Sequence, residues 1–156
     1  MIIHVLGTAQ DGGYPHAGCK DICCLNIWDQ PLFHRLPTSI AAVDQKNKKF
    51  YLFDITPNIK EQLHLLSHYN CELAGIFITH AHLGHYVGLL DLGLEIMNTN
   101  NIPVYVMPRM KQFILSNQPM AQLIENNNIQ LIDIQSDEAI LFDNLSVISF
   151  EVPHRN

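Results

Sequence analysis

Ala74-Gly75-Ile76-Phe77-Ile78-Thr79-His80-Ala81-His82-Leu83-Gly84-His85 is the stretch on which the reading of this 156-residue chain turns. Its first five residues form an apolar run that reads as a buried strand, so the three histidines fall on the loop leaving that strand's carboxyl end. Open α/β sheets hold their ligands at that end. Neutral imidazole is the commonest nitrogen ligand for zinc and also suits iron, and alternate residues of an extended segment can aim two rings at one point. Chance does not supply the pattern: nine histidines in 156 residues give His-x-His-x-x-His about 0.03 times per chain. Three imidazoles beside a buried strand also cost desolvation energy unless something accepts their nitrogens. His80, His82 and His85 therefore point to a metal site.

Working outward, Ile2 to Leu6 reads as a first strand running into Gly7-Thr8-Ala9-Gln10-Asp11-Gly12-Gly13, where Asp-Gly-Gly supplies turn positions. An aperiodic loop continues to about Leu36. Thr38 to Val43 and Phe50 to Phe53 read as a hairpin across the polar Asp44–Lys49 segment. Thr56-Pro57 predicts a helix start with the hydroxyl as N-cap, followed by Ile59, Leu63 and Leu66 on one face. Val87 to Met97 reads as a helix apolar nearly all round, hence deeply covered. Pro103 to Met107 is a short strand, with helical patterns around Met110–Leu115 and Met120–Ile124. Ile129–Ile134, Ala139–Phe142 and Leu145–Val152 read as strands, the last with Ile148, Phe150 and Val152 on one face. Hairpins at both ends and helices between strands in the middle predict an α/β (α+β) domain, a mixed β-sheet with helices packed against it.

The length is one domain's worth, residues 1–156, and enough to bury a real core. A formal charge of −6 argues against a general nucleic-acid binder, which shows a basic face. The opening Met1-Ile2-Ile3-His4-Val5-Leu6-Gly7 has no basic leader, and no later window reaches bilayer-spanning length. A cytoplasmic, reduced setting with no membrane partner is the expectation. Cysteines in such a setting are thiols or metal ligands rather than disulfides. Cys19, Cys23 and Cys24 are a possible structural zinc site, since thiolates at short spacing on a loop can close around a tetrahedral ion; packed thiols are the alternative.

The histidine loop after a buried strand, the upstream strand ending in Asp54, and the later strand leading to Val152-Pro153-His154 together resemble the metallo-β-lactamase superfamily. Within it, Leu6-Gly7-Thr8-Ala9-Gln10-Asp11-Gly12-Gly13-Tyr14-Pro15 with a nearby cysteine cluster is similar to the pyrroloquinoline-quinone biosynthesis protein B group. The family's pattern is His-x-His-x-Asp-His; His80, His82 and His85 match it, while Gly84 stands where aspartate is usual. The resemblance implies an αββα sandwich, of which this chain looks like the N-terminal half, apparently truncated. It also implies that His80, His82 and His154 hold one metal. His85 is then a ligand of a second metal or a proton-transfer and substrate-orienting group. Asp54 resembles the family's first-motif aspartate, which fixes the histidine loop by accepting a ring N–H or loop amides; a strand-end carboxylate capping the Thr56 turn is the other reading.

Three neutral ligands with an open fourth position lower the pKa of bound water toward neutrality. The resemblance thus implies that the full-length parent is a metal-dependent hydrolase in which metal-bound hydroxide attacks an ester, thioester or phosphodiester of a small-molecule substrate, with impaired or absent activity expected of these 156 residues alone. Zn2+ is the expected metal, with Fe2+ or Mn2+ as alternatives. An iron-dependent oxidation related to quinone cofactor biosynthesis is the second expectation, and a chain without activity of its own the third. An uncovered apolar sheet face predicts a homodimer or domain-swapped assembly.

Overall fold

A computed structural model describes residues 1–153. Six strands form one sheet in sequential order: β1 (Ile2–Gly7), β2 (Ser39–Asp44), β3 (Lys49–Phe53), β4 (Glu72–Phe77), β5 (Ile102–Val106) and β6 (Ile129–Asp133). The first three pair antiparallel, with Ile3 opposite Ala42 and Val43 opposite Phe50. From β3 to β6 the pairing is parallel, with Leu52 beside Ile76 and Val104 beside Leu131. Parallel neighbours need crossovers, and these are helical: α2 (Ile59–Leu66), the short α3 (Leu83–Tyr86) with the 3-10 segment Val87–Leu92, and the pair α4 (Pro108–Ser116) and α5 (Gln118–Glu125). The remaining helix, α1 (Ile22–Leu25), interrupts the long loop after β1. Right-handed crossovers in a sheet that grows in one direction place the helices on the same face.

Alternation along the strands divides the sheet. Leu52, Ile76, Val104 and Val106 are fully buried in one core with Ile59, Leu89 and Ile114 from the helical layer. Burying each such side chain contributes about 1.5–3 kcal/mol relative to exposure. The opposite face carries aromatic rings: Phe77 stacks between Phe53 at 5.0 Å and Tyr105 at 4.5 Å. Phe142, from the hairpin of β7 (Ala139–Leu141) and β8 (Ser146–Ile148), packs on Tyr51 at 4.5 Å. Burial pushes the phenols of Tyr51 and Tyr105 above their ordinary value.

Three local expectations are corrected. Helix α2 begins at Ile59 rather than at Pro57, because Pro57 and Asn58 form a turn ahead of it, closed by the Asn58 amide on the buried Thr56 hydroxyl and by the Ile59 amide on Thr56 O, while that hydroxyl donates to Gln62 Oε1 at 2.8 Å. Val87–Met97 is not one covered helix. Its 3-10 turns stop at Leu92, where the chain turns back through Met97 N–H to Asp91 O, leaving Leu94 and Ile96 exposed. The final strand ends at Ile148, and Ile148, Phe150 and Val152 are all exposed. Among the described residues no helix is long and apolar enough to cross a membrane.

Asp44, at the end of β2, ties the small hairpin to the sheet. Its Oδ2 accepts from the Asn144 amide at 2.9 Å and from Asn47 at 2.8 Å. These bonds, led by Asn144, hold its carboxyl below the ordinary 3.8. A depressed carboxyl contributes stability that is present above its ordinary value and lost as the pH falls through the lower folded value. Asn144→Ala is therefore expected to bring the acid-induced loosening of residues 139–148 to a higher pH, read as loss of amide-exchange protection at Ile140 and Phe142 during acid titration. An unchanged profile would show that Asp44 does not anchor the hairpin.

Candidate metal centre

Strands β1, β3, β4 and β5 run in one direction, so the loops after their carboxyl ends meet at one edge of the sheet. Asp54 ends β3 and the histidine loop leaves β4, the adjacent parallel strand. Asp54 occupies the left-handed region, φ 65°, which Asp and Asn tolerate better than other side-chain-bearing residues. That conformation is fixed by its amide donating to Phe77 O at 2.8 Å. The side chain is 8% exposed.

Its two carboxylate oxygens take up the donors of the facing loop. Oδ1 accepts the Thr79 amide at 2.8 Å, and the Thr79 hydroxyl lies 2.9 Å from both oxygens. Oδ2 lies 2.7 Å from His85 Nδ1. An ionised carboxylate only accepts, so His85 carries its proton on Nδ1 and donates it to Asp54. The Thr79 hydroxyl spends its single proton on the same carboxylate, so His80 Nδ1, 2.8 Å from the Thr79 oxygen, is the donor in that contact. Both rings thus carry a proton on Nδ1. This is how a ring prepared for metal ligation is held.

The three rings are neighbours, with centroids 4.7 Å apart for His80 and His82 and 4.1 Å for His80 and His85. Their backbone is clamped as well. Ile55 N donates to His85 O at 2.9 Å and Gly88 N to Ile55 O at 3.1 Å, which docks α3 on the segment after β3. A Cβ at Gly88 would lie 2.2 Å from Thr56 O, so the clamp requires glycine there. His154 lies outside the described residues. Among the described residues, the histidine group does not by itself bring three ligating atoms within 4.8 Å of one another, whereas the sulfurs of Cys19, Cys23 and Cys24 do. The Cys24 sulfur beside it pushes the Cys19 thiol above its ordinary value.

One residue of the cluster was not singled out by the sequence. Asp11, in the turn closed by Gly13 N–H to Gln10 O, places Oδ1 3.4 Å from His85 Nε2. The signal was present only as an acidic residue in a turn-forming loop, and its proximity to residue 85 is a product of the β1–β2–β3 pairing.

No family profile matches the chain. In sequence it is similar to coenzyme PQQ synthesis protein B of Methylococcus capsulatus, 28% identical over 134 residues covering 81% of this chain and 43% of that protein. In structure it is similar to Zn(2+)-bound PqqB from Methylobacterium extorquens, with TM-score 0.79 and 23% identity over 98% of this chain and 56% of that one. It is also similar to a diphosphatase from the PhnP family, with TM-score 0.68 and 24% identity over 94% and 54% of the two chains. The chain spans about half the length of the curated relatives it matches.

Replacing Gly88 with alanine forces a methyl group against a backbone oxygen, and overpacking of this kind costs about 1–3 kcal/mol. Gly88→Ala is expected to lower unfolding stability by that amount in denaturant titration and to shift the His85 ring resonances, since residue 85 hangs from the same clamp. A variant with unchanged stability and unchanged histidine signals would refute the clamp.

Proposed function

We propose that this chain, whose fold is that of the metallo-β-lactamases and whose sequence resembles coenzyme PQQ synthesis protein B, belongs to a metal-dependent hydrolase acting on a phosphodiester, ester or thioester of a small molecule. The observation that carries the reading is the Asp54 carboxylate, which directly at His85 and through Thr79 at His80 fixes a ring proton on Nδ1, the arrangement in which Nε2 would serve as a ligand. Likeness to a Zn(2+)-bound protein and to a diphosphatase supports it.

His80 and His82 would hold the metal, with His154 as the third ligand implied by the family resemblance. Bound there, a divalent cation supplies Lewis acidity at a phosphoryl or acyl oxygen and lowers the pKa of water. The chain's own residues do the rest. Asp54, 8% exposed, keeps the rings aligned. His85 stands beside His80, suited to orient a substrate oxygen or move a proton at Nε2. The cysteine trio is a second, structural site for zinc, since three thiolates and one further ligand complete a tetrahedral shell.

The test is to load the protein with zinc or manganese, measure metal per chain by elemental analysis, and assay a generic phosphodiester and a thioester. Turnover that disappears in His80→Ala is the expected result. Protein that retains metal and turns over neither substrate refutes hydrolysis. Oxygen consumption after anaerobic loading with ferrous iron instead favours the oxidation that the PQQ-synthesis relatives suggest.

Asp54→Asn keeps a residue that accepts the left-handed backbone but exchanges an acceptor oxygen for a donor. It is expected to weaken zinc binding at the histidines 10–100-fold, the usual effect of removing a residue that orients a ligand. Competition with a chelating dye reads the change, and affinity within twofold of the original would show that Asp54 does not orient the ligands.

A further inference from the structure

We propose that Cys19 is the pivot of a thiol–disulfide switch in the loop after β1, forming a disulfide with Cys24 when no metal holds the three sulfurs and leaving Cys23 as a free thiol. The inference concerns the sulfurs of the structural zinc reading above, goes beyond that reading and stands without it.

It starts from a lack of packing. Tyr14 and Arg35 exchange backbone bonds, each N–H donating to the other's carbonyl at 2.8 Å, and so close the loop at its base. Of residues 16–35 only Cys24 is buried. Ile22, Leu25, Trp28, Leu32 and Phe33 are all exposed, Leu32 at 91%. A segment this long with no core of its own keeps its order through a cross-link, either a disulfide or a metal.

The sulfurs for such a link are already gathered. Those of Cys19, Cys23 and Cys24 lie within 4.8 Å of one another, all as free thiols, and the fourth cysteine, Cys71, stands apart from them just before β4. Two turns make the approach: the Cys19 amide donates to His16 O at 3.1 Å and the Cys24 amide to Asp21 O at 3.0 Å. The Tyr14 hydroxyl fixes the backbone between them by donating to Cys23 O at 2.7 Å. Consecutive Cα atoms stand about 3.8 Å apart, less than the roughly 4.4 Å at the lower end of disulfide geometry, so Cys23 and Cys24 do not pair with each other. Every pair within the trio therefore includes Cys19. Cys24 is its partner because their thiols are in hydrogen-bond contact and Cys24 is the buried member, whereas Cys23 is exposed.

The oxidant is a low-molecular-weight disulfide, and the step is a thiol–disulfide exchange. The Cys19 thiolate attacks one sulfur of that molecule, forming a mixed disulfide and releasing one small thiolate. The Cys24 thiolate then attacks the Cys19 sulfur, the Cys19–Cys24 bond forms and the second small thiolate leaves. Both protein sulfurs are oxidised, the small disulfide is reduced, and the two thiol protons end on the two small thiols. Zinc and disulfide draw on the same sulfur lone pairs, so each excludes the other.

Incubation of the reduced, chelator-treated full chain with glutathione disulfide tests the assignment, with free thiols counted by alkylation and intact mass and the linked peptides mapped by fragmentation. Two of the four cysteines are expected to lose reactivity, with a link between Cys19 and Cys24 and with Cys23 and Cys71 still alkylated. Cys19→Ser is expected to abolish the link and leave mixed disulfides with glutathione, while Cys23→Ser forms the link as the unmodified chain does. Zinc added beforehand is expected to slow the reaction about tenfold or more, since a metal-held thiolate is a poor nucleophile for exchange. A chain that keeps four alkylatable thiols, or whose link joins Cys23 or Cys71, overturns the switch. A Cys19–Cys24 link that forms at an unchanged rate with zinc present overturns the zinc reading of the trio and supports the disulfide as the cross-link of this loop.

Discussion

The arrangement at the sheet edge depends on one buried carboxylate. Asp54 satisfies the Thr79 amide, the Thr79 hydroxyl and the His85 ring at once, and it does so from a left-handed backbone position locked to the end of β4. Low exposure strengthens each of these bonds and makes each costly to leave unmade. Remove the carboxylate and three donors lose their partner together, which leaves the ring protons of His80 and His85 without fixed positions. The order of the histidine loop thus depends less on the number of histidines than on the acceptor behind them.

That acceptor is placed by the core. Parallel pairing of β3 with β4, specified by fully buried Leu52 and Ile76, brings Asp54 and Thr79 side by side. The Ile55–His85 and Gly88–Ile55 backbone bonds then continue the pairing beyond the strands, so the histidine loop behaves as an extension of the sheet. Packing energy is converted in this way into alignment of the histidine rings. A side chain at position 88 would break the conversion without touching a histidine.

Much of this was legible in the sequence. Strand β4 and the loop after it followed from an apolar run that stops at Thr79, the first hairpin from two apolar segments across a polar one, and the exchange of period 2 for period 3.6 marked α2, α4 and α5. What was not legible has physical causes. Thr56 carries the signal of a helix cap and its hydroxyl does accept the Asn58 amide, but that bond closes a turn ahead of the helix, which starts at Ile59. Val87–Met97 has the composition of a covered helix, yet the chain turns back after Leu92, which composition does not encode. The cysteine cluster was legible as spacing, whereas the approach of its three sulfurs depended on the short α1 turn within an aperiodic loop. Asp11 was invisible because its relation to Gly84 is a contact between the loops after β1 and β4, set by the order of the sheet.

Charge gives the site its remaining logic. Asp54 fixes a proton on the inner nitrogen of His85 and, through Thr79, of His80, while the Asp11 carboxylate lies beside the outer nitrogen of His85. Among the described residues no lysine or arginine pairs with either carboxylate, the described lysine ion pair being Lys111 with Asp133 at another edge. In a chain of formal charge −6, two carboxylates at one rim, with no described lysine or arginine paired to them, create a negative local potential. Had position 84 carried its own carboxylate, Asp11 would be displaced by contact with its own main chain. The glycine and the aspartate are therefore two halves of one steric exchange, which moves a negative charge from the histidine loop to the loop after β1 while keeping it within reach of His85.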